Sequence, residues 1–447
     1  MTSLLKIDTS DLEVGMYISE LDRPWLETPF AVQGLYLKTR NDIDIISNIC
    51  DYVFVDTEIA RQKITSKMPT VSSANDIDPG RTEFDITKLN SDDGTSRPKG
   101  IATDSTKGSN NLDGLFPDKE LTEHPDTIIW QDETPAARKA ISTLHTCLND
   151  LLTRNEKGGP LEIVKIKQAV KPMVDSVMRN PDACIWLARM KQEDNYIYEH
   201  SLGTSIWAVT LGRQLGLPKL DLNSLAIGGL LFDIGKLRLS NDLLKANRRL
   251  TSQETKIMKK HVEIGVMLLK ESGMMNQDVI DMTAHHHERH NGTGYPEGLV
   301  GDQIPVFARI AAIVDCYDAI TRDRIYAKAM APSQAVIQLY KWKDNYFQGE
   351  LIEAFIQAIG IYPAGTLVEL SSGEVAIVVA ESRSRRLRPQ VMLLLDSDKQ
   401  PLDDIEFIDL LEVTETDKGL PLDIIKSLKP NAYGLDMNAI ELLEDDD

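Results

Sequence analysis

The sequence predicts a multidomain, mainly helical protein with a small α+β domain at its start and a small β-rich segment near its end. Three observations carry that expectation. At 447 residues the chain is too long for one core, so two to four domains are expected. From Glu133 to about Ile361 apolar residues recur at three and four, as in helices that bury one face. After Pro363 the period switches to two, the spacing of strands.

Taken in order, residues 1–62 read as a small mixed α/β domain. Val14 to Ser19 and Val32 to Lys38 alternate like strands, Asp42 to Cys50 is helical in pattern, and Tyr52 to Asp56 is a short β-rich run. Residues 63–130 are dense in Ser, Thr, Asp, Gly, Pro and Lys, too polar to offset the entropy of ordering. They read as a mobile linker, with a short ordered patch near Leu112 to Phe116. Residues 131–361 form the helical region. Thr251-Ser-Gln-Glu254 is a capping-box pattern opening a helix to about Lys270, and Ile304-Pro305 opens another. Residues 362–416 read as a β-meander with strands at Thr366 to Leu370, Val375 to Ala380 and Gln390 to Leu395. The basic run Ser382 to Pro389 between two of them reads as a solvated hairpin loop. Residues 417–447 are expected to be an acidic tail.

Composition narrows the class. Hydrophobic content of 42% with 26% charged residues is that of soluble globular domains. No apolar run approaches the length of a membrane span, and the start lacks the apolar stretch of a signal peptide. Four scattered cysteines without CxxC spacing suggest neither a disulfide framework nor a thiolate zinc site, so a cytoplasmic location is expected. A net charge of -20 argues against DNA as a partner, although a local cationic cluster can still hold a small anion.

Six of the eight histidines lie between His200 and His290. His124 and His145 read as ordinary satisfied side chains. His261 sits on an apolar helix face with Ile257, Ile264 and Leu268, where a buried imidazole needs a partner and a metal is one. In Ala284-His-His-His-Glu-Arg-His290, adjacent histidines on a helix point about 100° apart and can grip one ion from two angles. Asp233 follows an apolar run, and Asp315 lies inside ARIAAIVDCYDAI, where an ionised carboxylate needs a cation. A cap is a plausible alternative for Asp233, because Gly235 follows it. Such a His and Asp set without Cys suits iron, manganese or zinc. The loop Asn291-Gly-Thr-Gly-Tyr-Pro-Glu-Gly298 lets backbone amides approach an anion, while Lys236 and Arg324 flank the carboxylates. Together these residues read as a metallo-phosphohydrolase centre.

HHERHNGTGYPEGL followed by IPVFARIAAIVDCYDAITRDRIYAKA resembles the signature of HD-GYP domains, a subgroup of the HD metal-dependent phosphohydrolases. The resemblance covers a core of about 196–361. The opening, DLEVGMYISELDRPWLETPFAVQGLYL with YVFVDT, resembles a domain of unknown function that commonly precedes them. The resemblance implies an all-helical core and hydrolysis of cyclic di-GMP to pGpG or GMP, with two divalent metal ions, iron or manganese. It implies His200, Asp233, His261, His286, His287 and Asp315 as metal ligands, and Asp233 and Lys236 as catalytic. It implies Lys236, Tyr295 and Arg324 as substrate contacts, with Lys328 standing in for a missing cation at Ala327.

Departures from the pattern matter equally. Phe232 stands where the histidine of the HD pair belongs, Asn291 stands for an Asp, and Tyr196 stands for a Glu of a three-metal subgroup. The set Asp233, His261, His286 and His287 keeps all its ligands. The set His200, Asp233 and Asp315 loses its fourth, and its ion is expected to be weak. Two readings follow: a cyclic di-GMP phosphodiesterase impaired at Phe232, or a degenerate domain that binds cyclic di-GMP or a protein partner and signals without hydrolysis.

Overall fold

The computed structural model describes residues 4–14, 16–22, 35–37, 40–47, 49–56, 114–156, 159, 161–190, 196–322, 328–383, 385–416, 418–437 and 440. The bulk of the expected linker, Arg324 and the last acidic residues lie outside them. Internal contacts divide the chain into one unit of residues 1–74 with 359–427 and another of 75–358 with 428–447.

At the start of the chain four strands form an antiparallel sheet in the order β1-β4-β2-β3. They are β1 (Leu4–Asp8), β2 (Tyr17–Leu21), β3 (Leu35–Tyr36) and β4 (Tyr52–Asp56), with α1 (Arg40–Ser47) between the last two. Ile18, Leu37, Ile46, Val53 and Val55 make the core. β1 is an element the sequence reading missed.

Five strands near the end, β5 (Leu367–Leu370), β6 (Val375–Ala380), β7 (Gln390–Leu395), β8 (Pro401–Asp409) and β9 (Ile424–Ser427), form a second antiparallel sheet. Their order is β8-β7-β6-β5-β9. Gly373, at φ 97°, makes the expected Ser371 to Glu374 turn, a conformation open to glycine. Two expectations are corrected. β9 pairs with β5, so the tail placed at 417 contains a strand of this sheet. The basic run is only partly solvated: Arg386 is buried, and Arg388 donates to the carbonyls of Leu410 and Leu422 and to Asp423.

The helical unit runs from α2 (Trp130–Glu156) through α3 (Ile163–Arg179), α4 (Pro181–Met190), α5 (Tyr196–Gln214) and α6 (Lys219–Leu231). A 3-10 turn, Ile234–Arg238, and α7 (Asn241–Leu244) lead to α8 (Ser252–Lys259) and α9 (His261–Glu271). Then follow α10 (Gln277–His285), α11 (Val306–Thr321), α12 (Pro332–Lys341) and α13 (Gly349–Ile359). The capping box at Thr251 and Glu254 is present, but the helix it opens breaks at Lys260, and α9 restarts at His261. Residues 114–129, counted in the expected linker, are packed instead. Phe116 is buried edge-on against Phe307, Lys119 pairs with Asp221, and the Thr122 amide donates to Gly216.

α11 is buried on every side except at Val306 and Arg309, the pattern of a central helix. α5 and α6 cross at close range, because Gly229 leaves no Cβ against the backbone of Ser205. At that crossing Thr204 Oγ1 donates to Gly229 O and Ser205 Oγ to Ala226 O, so these buried hydroxyls are satisfied.

Candidate metal centre

Five segments bring the candidate ligands together. His200 lies in the first turns of α5, and Asp233 in the single residue between the α6 cap and the 3-10 turn. His261 opens α9, and His286 caps α10 with His287 after it. Asp315 comes from the buried α11. The crossing of the 3-10 turn on α9 depends on Gly235, where a Cβ would stand 1.9 Å from His261 O and 2.6 Å from the Gly265 nitrogen. Only glycine allows that approach, and it sets Asp233 beside His261.

Two clusters result, sharing Asp233. The donor atoms of Asp233, His261, His286 and His287 all lie within 4.8 Å of one another, as do those of His200, Asp233 and Asp315, and every one of these side chains is buried. Asp233 Oδ1 is 3.3 Å from His261 Nε2 and 3.6 Å from His286 Nε2. His261 Nε2 is 3.4 Å from His286 Nε2 and 3.2 Å from His287 Nε2. On the other side, His200 Nε2 is 3.2 Å from Asp315 Oδ1 and 3.5 Å from Asp233 Oδ2.

The donor chemistry fits a divalent cation. His261 Nδ1 lies 2.8 Å from Met258 O, and His286 Nδ1 lies 3.1 Å from the carbonyls of Met282 and Thr283. Those carbonyls assign the ring proton to Nδ1, so both Nε2 atoms present lone pairs to each other and to Asp233 Oδ1. Asp233 Oδ1 is buried and has no hydrogen-bond partner among the described residues. Facing acceptors in a buried site need a cation between them. Burial, with Lys236 and His286 adding to it, lowers His261 to about 3, and burial beside His286 and His261 holds His287 well below the ordinary histidine range. Neutral imidazole is the ligating form. Burial pushes the Asp233 carboxyl up, but Lys236 and its contacts with His200 and His286 outweigh it and keep the group ionised.

The second cluster lacks a donor where Phe232 sits. That ring is buried, stacked on His286 with centroids 4.6 Å apart, and edge-on to His200 at 6.0 Å. It therefore lies between imidazoles of the two clusters. Lys236 Nζ donates to Asp233 Oδ2 at 2.6 Å.

Other expected contacts are placed unevenly. The Tyr295 ring stacks on His287 at 4.7 Å, Lys259 Nζ stands 4.0 Å from its centroid, and its hydroxyl is buried without a hydrogen bond among the described residues. Lys328 is exposed in the connection after α11. Asn291 bonds Asn345 and the Thr293 amide, a loop-holding role. His124 and His145 are satisfied locally, by Leu217 O and by Asn149 and Tyr198.

Two residues escaped the sequence reading. Asp318 accepts from His200 Nδ1 at 2.9 Å, Trp207 Nε1 at 3.1 Å and Arg322 Nε at 2.8 Å. It lies three residues after Asp315 in the same apolar helix, a spacing that shares a face and that could have found it. Glu288 is buried and accepts the backbone N–H groups of Glu297, Gly298 and Leu299, which orders the Gly-rich loop.

The residues of this centre lie within a region that matches a known family. Residues 180–351 match the family described as HD domain, residues 4–166 match a domain of unknown function, DUF3391, and residues 367–433 match a KOW domain associated with HD domain. The chain thus carries a region similar to an HD domain, with a DUF3391 match ahead of it and a match to a KOW domain behind it. It is 28% identical over 416 residues to a cyclic di-GMP phosphodiesterase of Pseudomonas aeruginosa, covering 93% of this chain and 91% of that one. It is also 28% identical over 254 residues to the cyclic di-GMP phosphodiesterase PdeB of Borreliella burgdorferi, covering 57% of this chain and 65% of the relative. Among solved structures, an HDG"Y"P protein from Bdellovibrio bacteriovorus aligns over 79% of this chain and 98% of that one, at 15% identity and a TM-score of 0.41. No described helix is long and apolar enough to cross a membrane.

Proposed function

We propose that this protein is a metal-dependent phosphodiesterase that opens cyclic di-GMP to pGpG or GMP, at a rate limited by Phe232. The observation that carries the proposal is the shared Asp233, placed between two buried donor clusters with Lys236 beside it. Asp233, His261, His286 and His287 would hold one ion, and His200 and Asp315 offer with Asp233 the donors of a weaker second site. A bound divalent ion supplies water activation and polarisation of a phosphoryl oxygen. Lys236 supplies a cation at the mouth of the clusters to meet phosphate oxygens, and Arg324 and Lys328 would add charge from the stretch after α11. The Tyr295 ring, packed against His287 with Lys259 over it, would line the substrate's path, and Glu288 keeps the loop that carries it folded. The substrate assignment draws on the two relatives named as cyclic di-GMP phosphodiesterases.

Phe232 favours a second reading, a domain that binds the cyclic dinucleotide or a protein partner without cleaving it. One experiment separates the two. The full chain is loaded anaerobically with Fe(II) or Mn(II), and cyclic di-GMP binding and product formation are measured in parallel. Linear product that disappears in His261→Ala supports the phosphodiesterase. Saturable binding without product under either metal would leave the binding module, and neither binding nor product would end both.

A further inference from the structure

The two oxygens of Asp233 face different surroundings. Oδ1 points at the Nε2 atoms of His261 and His286 and accepts no hydrogen bond, whereas Oδ2 accepts from the Lys236 ammonium at 2.6 Å. A carboxylate that bridges two ions needs both oxygens open. The donors available to a second ion are His200 Nε2, Asp233 Oδ2 and Asp315 Oδ1, and one of these already carries a cation. Catalytic zinc, for comparison, is usually held by three protein ligands. The ring standing where a further donor belongs is Phe232, which is 1% exposed and stacked on His286, so it has no room to swing aside.

The ammonium is held in place by backbone rather than by chance. Lys236 and Asp233 are three apart in a turn closed by the Lys236 amide to Asp233 O at 2.9 Å. That turn packs tightly on α9, because a Cβ at Gly235 would stand 1.9 Å from the His261 carbonyl oxygen. A charge-assisted hydrogen bond of this length between groups three residues apart needs no rearrangement to persist.

We infer that this centre holds one resident divalent ion, among Asp233, His261, His286 and His287, and that the Lys236 ammonium takes the place of a second ion on the Asp233 carboxylate. The phosphodiester would then meet one metal ion and one lysine. The inference rests on the metallohydrolase reading only in that it requires an ion to bind.

The test is a count and a spectrum. The full chain, loaded anaerobically with Mn(II) and desalted, should retain one manganese per chain and give the six-line electron paramagnetic resonance signal of an isolated Mn(II). Lys236→Met, which removes the competing charge and keeps the length, should raise the affinity for a second Mn(II) about tenfold, the order of magnitude by which residues beside a ligand tune metal affinity. Two ions with an exchange-coupled spectrum in the wild type would overturn the inference, as would an unchanged second-ion affinity in Lys236→Met. Either result would leave the phosphodiesterase reading standing. A wild type that retains no manganese would overturn both.

Discussion

The two halves of the centre share one aspartate and differ in nearly everything else. Around Asp233 Oδ1, three imidazoles close in with their Nε2 atoms, two of them oriented by backbone carbonyls. Around Oδ2, a lysine ammonium has already made its bond, a phenyl ring fills the neighbouring space, and the one histidine is held by Asp318. The first half has acceptors in want of a cation, and the second already has a lysine on one of its carboxylate oxygens. A hydrocarbon ring thus stands against both halves, and only the first presents its donors unopposed. Shared ligands do not make the two halves equivalent.

The comparison can be broken most directly at His261. His261→Ala removes a donor that faces three others, and metal affinity in the first half should fall by more than the ~10–100-fold that changes in supporting residues cost. Equilibrium metal titration reads the effect, and an undiminished affinity would dissolve the distinction between the halves. Phe232→His tests the other half. Imidazole is smaller than phenyl, so it fits the space with the face of His286 still covered. Second-ion affinity and turnover of cyclic di-GMP should both rise, and no change in either would mean that Lys236 alone governs that half.

Asp318→Asn sharpens the contrast through support rather than ligation. The amide can accept from only some of His200, Trp207 and Arg322, and it loses the charge that balances Arg322. Unfolding in urea should show a loss of about 1–3 kcal/mol, with the affinity of the His261 half unchanged.

The smallest effect belongs to Glu254, in the capping box before His261. Its hydrogen bonds with Arg248 and then Thr251 lower its carboxyl to about 2 from an ordinary 4.5. Because the folded value is the lower one, the stabilisation is present above pH 4.5 and is lost as pH falls toward 2. The difference in unfolding midpoint between wild type and Glu254→Gln should therefore close across that window. A gap that persists at the acid end would show that the carboxylate charge is not its source.

Much of this was legible in the chain because burial and charge conflict visibly in sequence. An aspartate inside ARIAAIVDCYDAI, or a histidine on an apolar face, announces a need for a partner. Asp318 carries the same signal, three residues on along the same helix. What the sequence hid was direction: that Phe232 would lie flat on His286, and that Lys236 would turn back onto Asp233 rather than outward. Both depend on the crossing of the 3-10 turn with α9, a tertiary fact. Strands β8 and β9 were missed for a simpler reason. They are the sheet's edges, one acidic and one four residues long, and edges are where alternation is weakest.

Glu288 has a consequence in time as well as in place. Its carboxylate holds the amides of Glu297, Gly298 and Leu299, and the residue before it is His287. Lifting that stretch exposes a buried carboxylate and breaks three hydrogen bonds at once, so the opening is rare although the segment is neither helix nor strand. Those three amide protons should exchange with solvent on the slow timescale of the helices around them. The Tyr295 ring, just ahead of those amides, thus stays against His287 for as long as the centre itself holds.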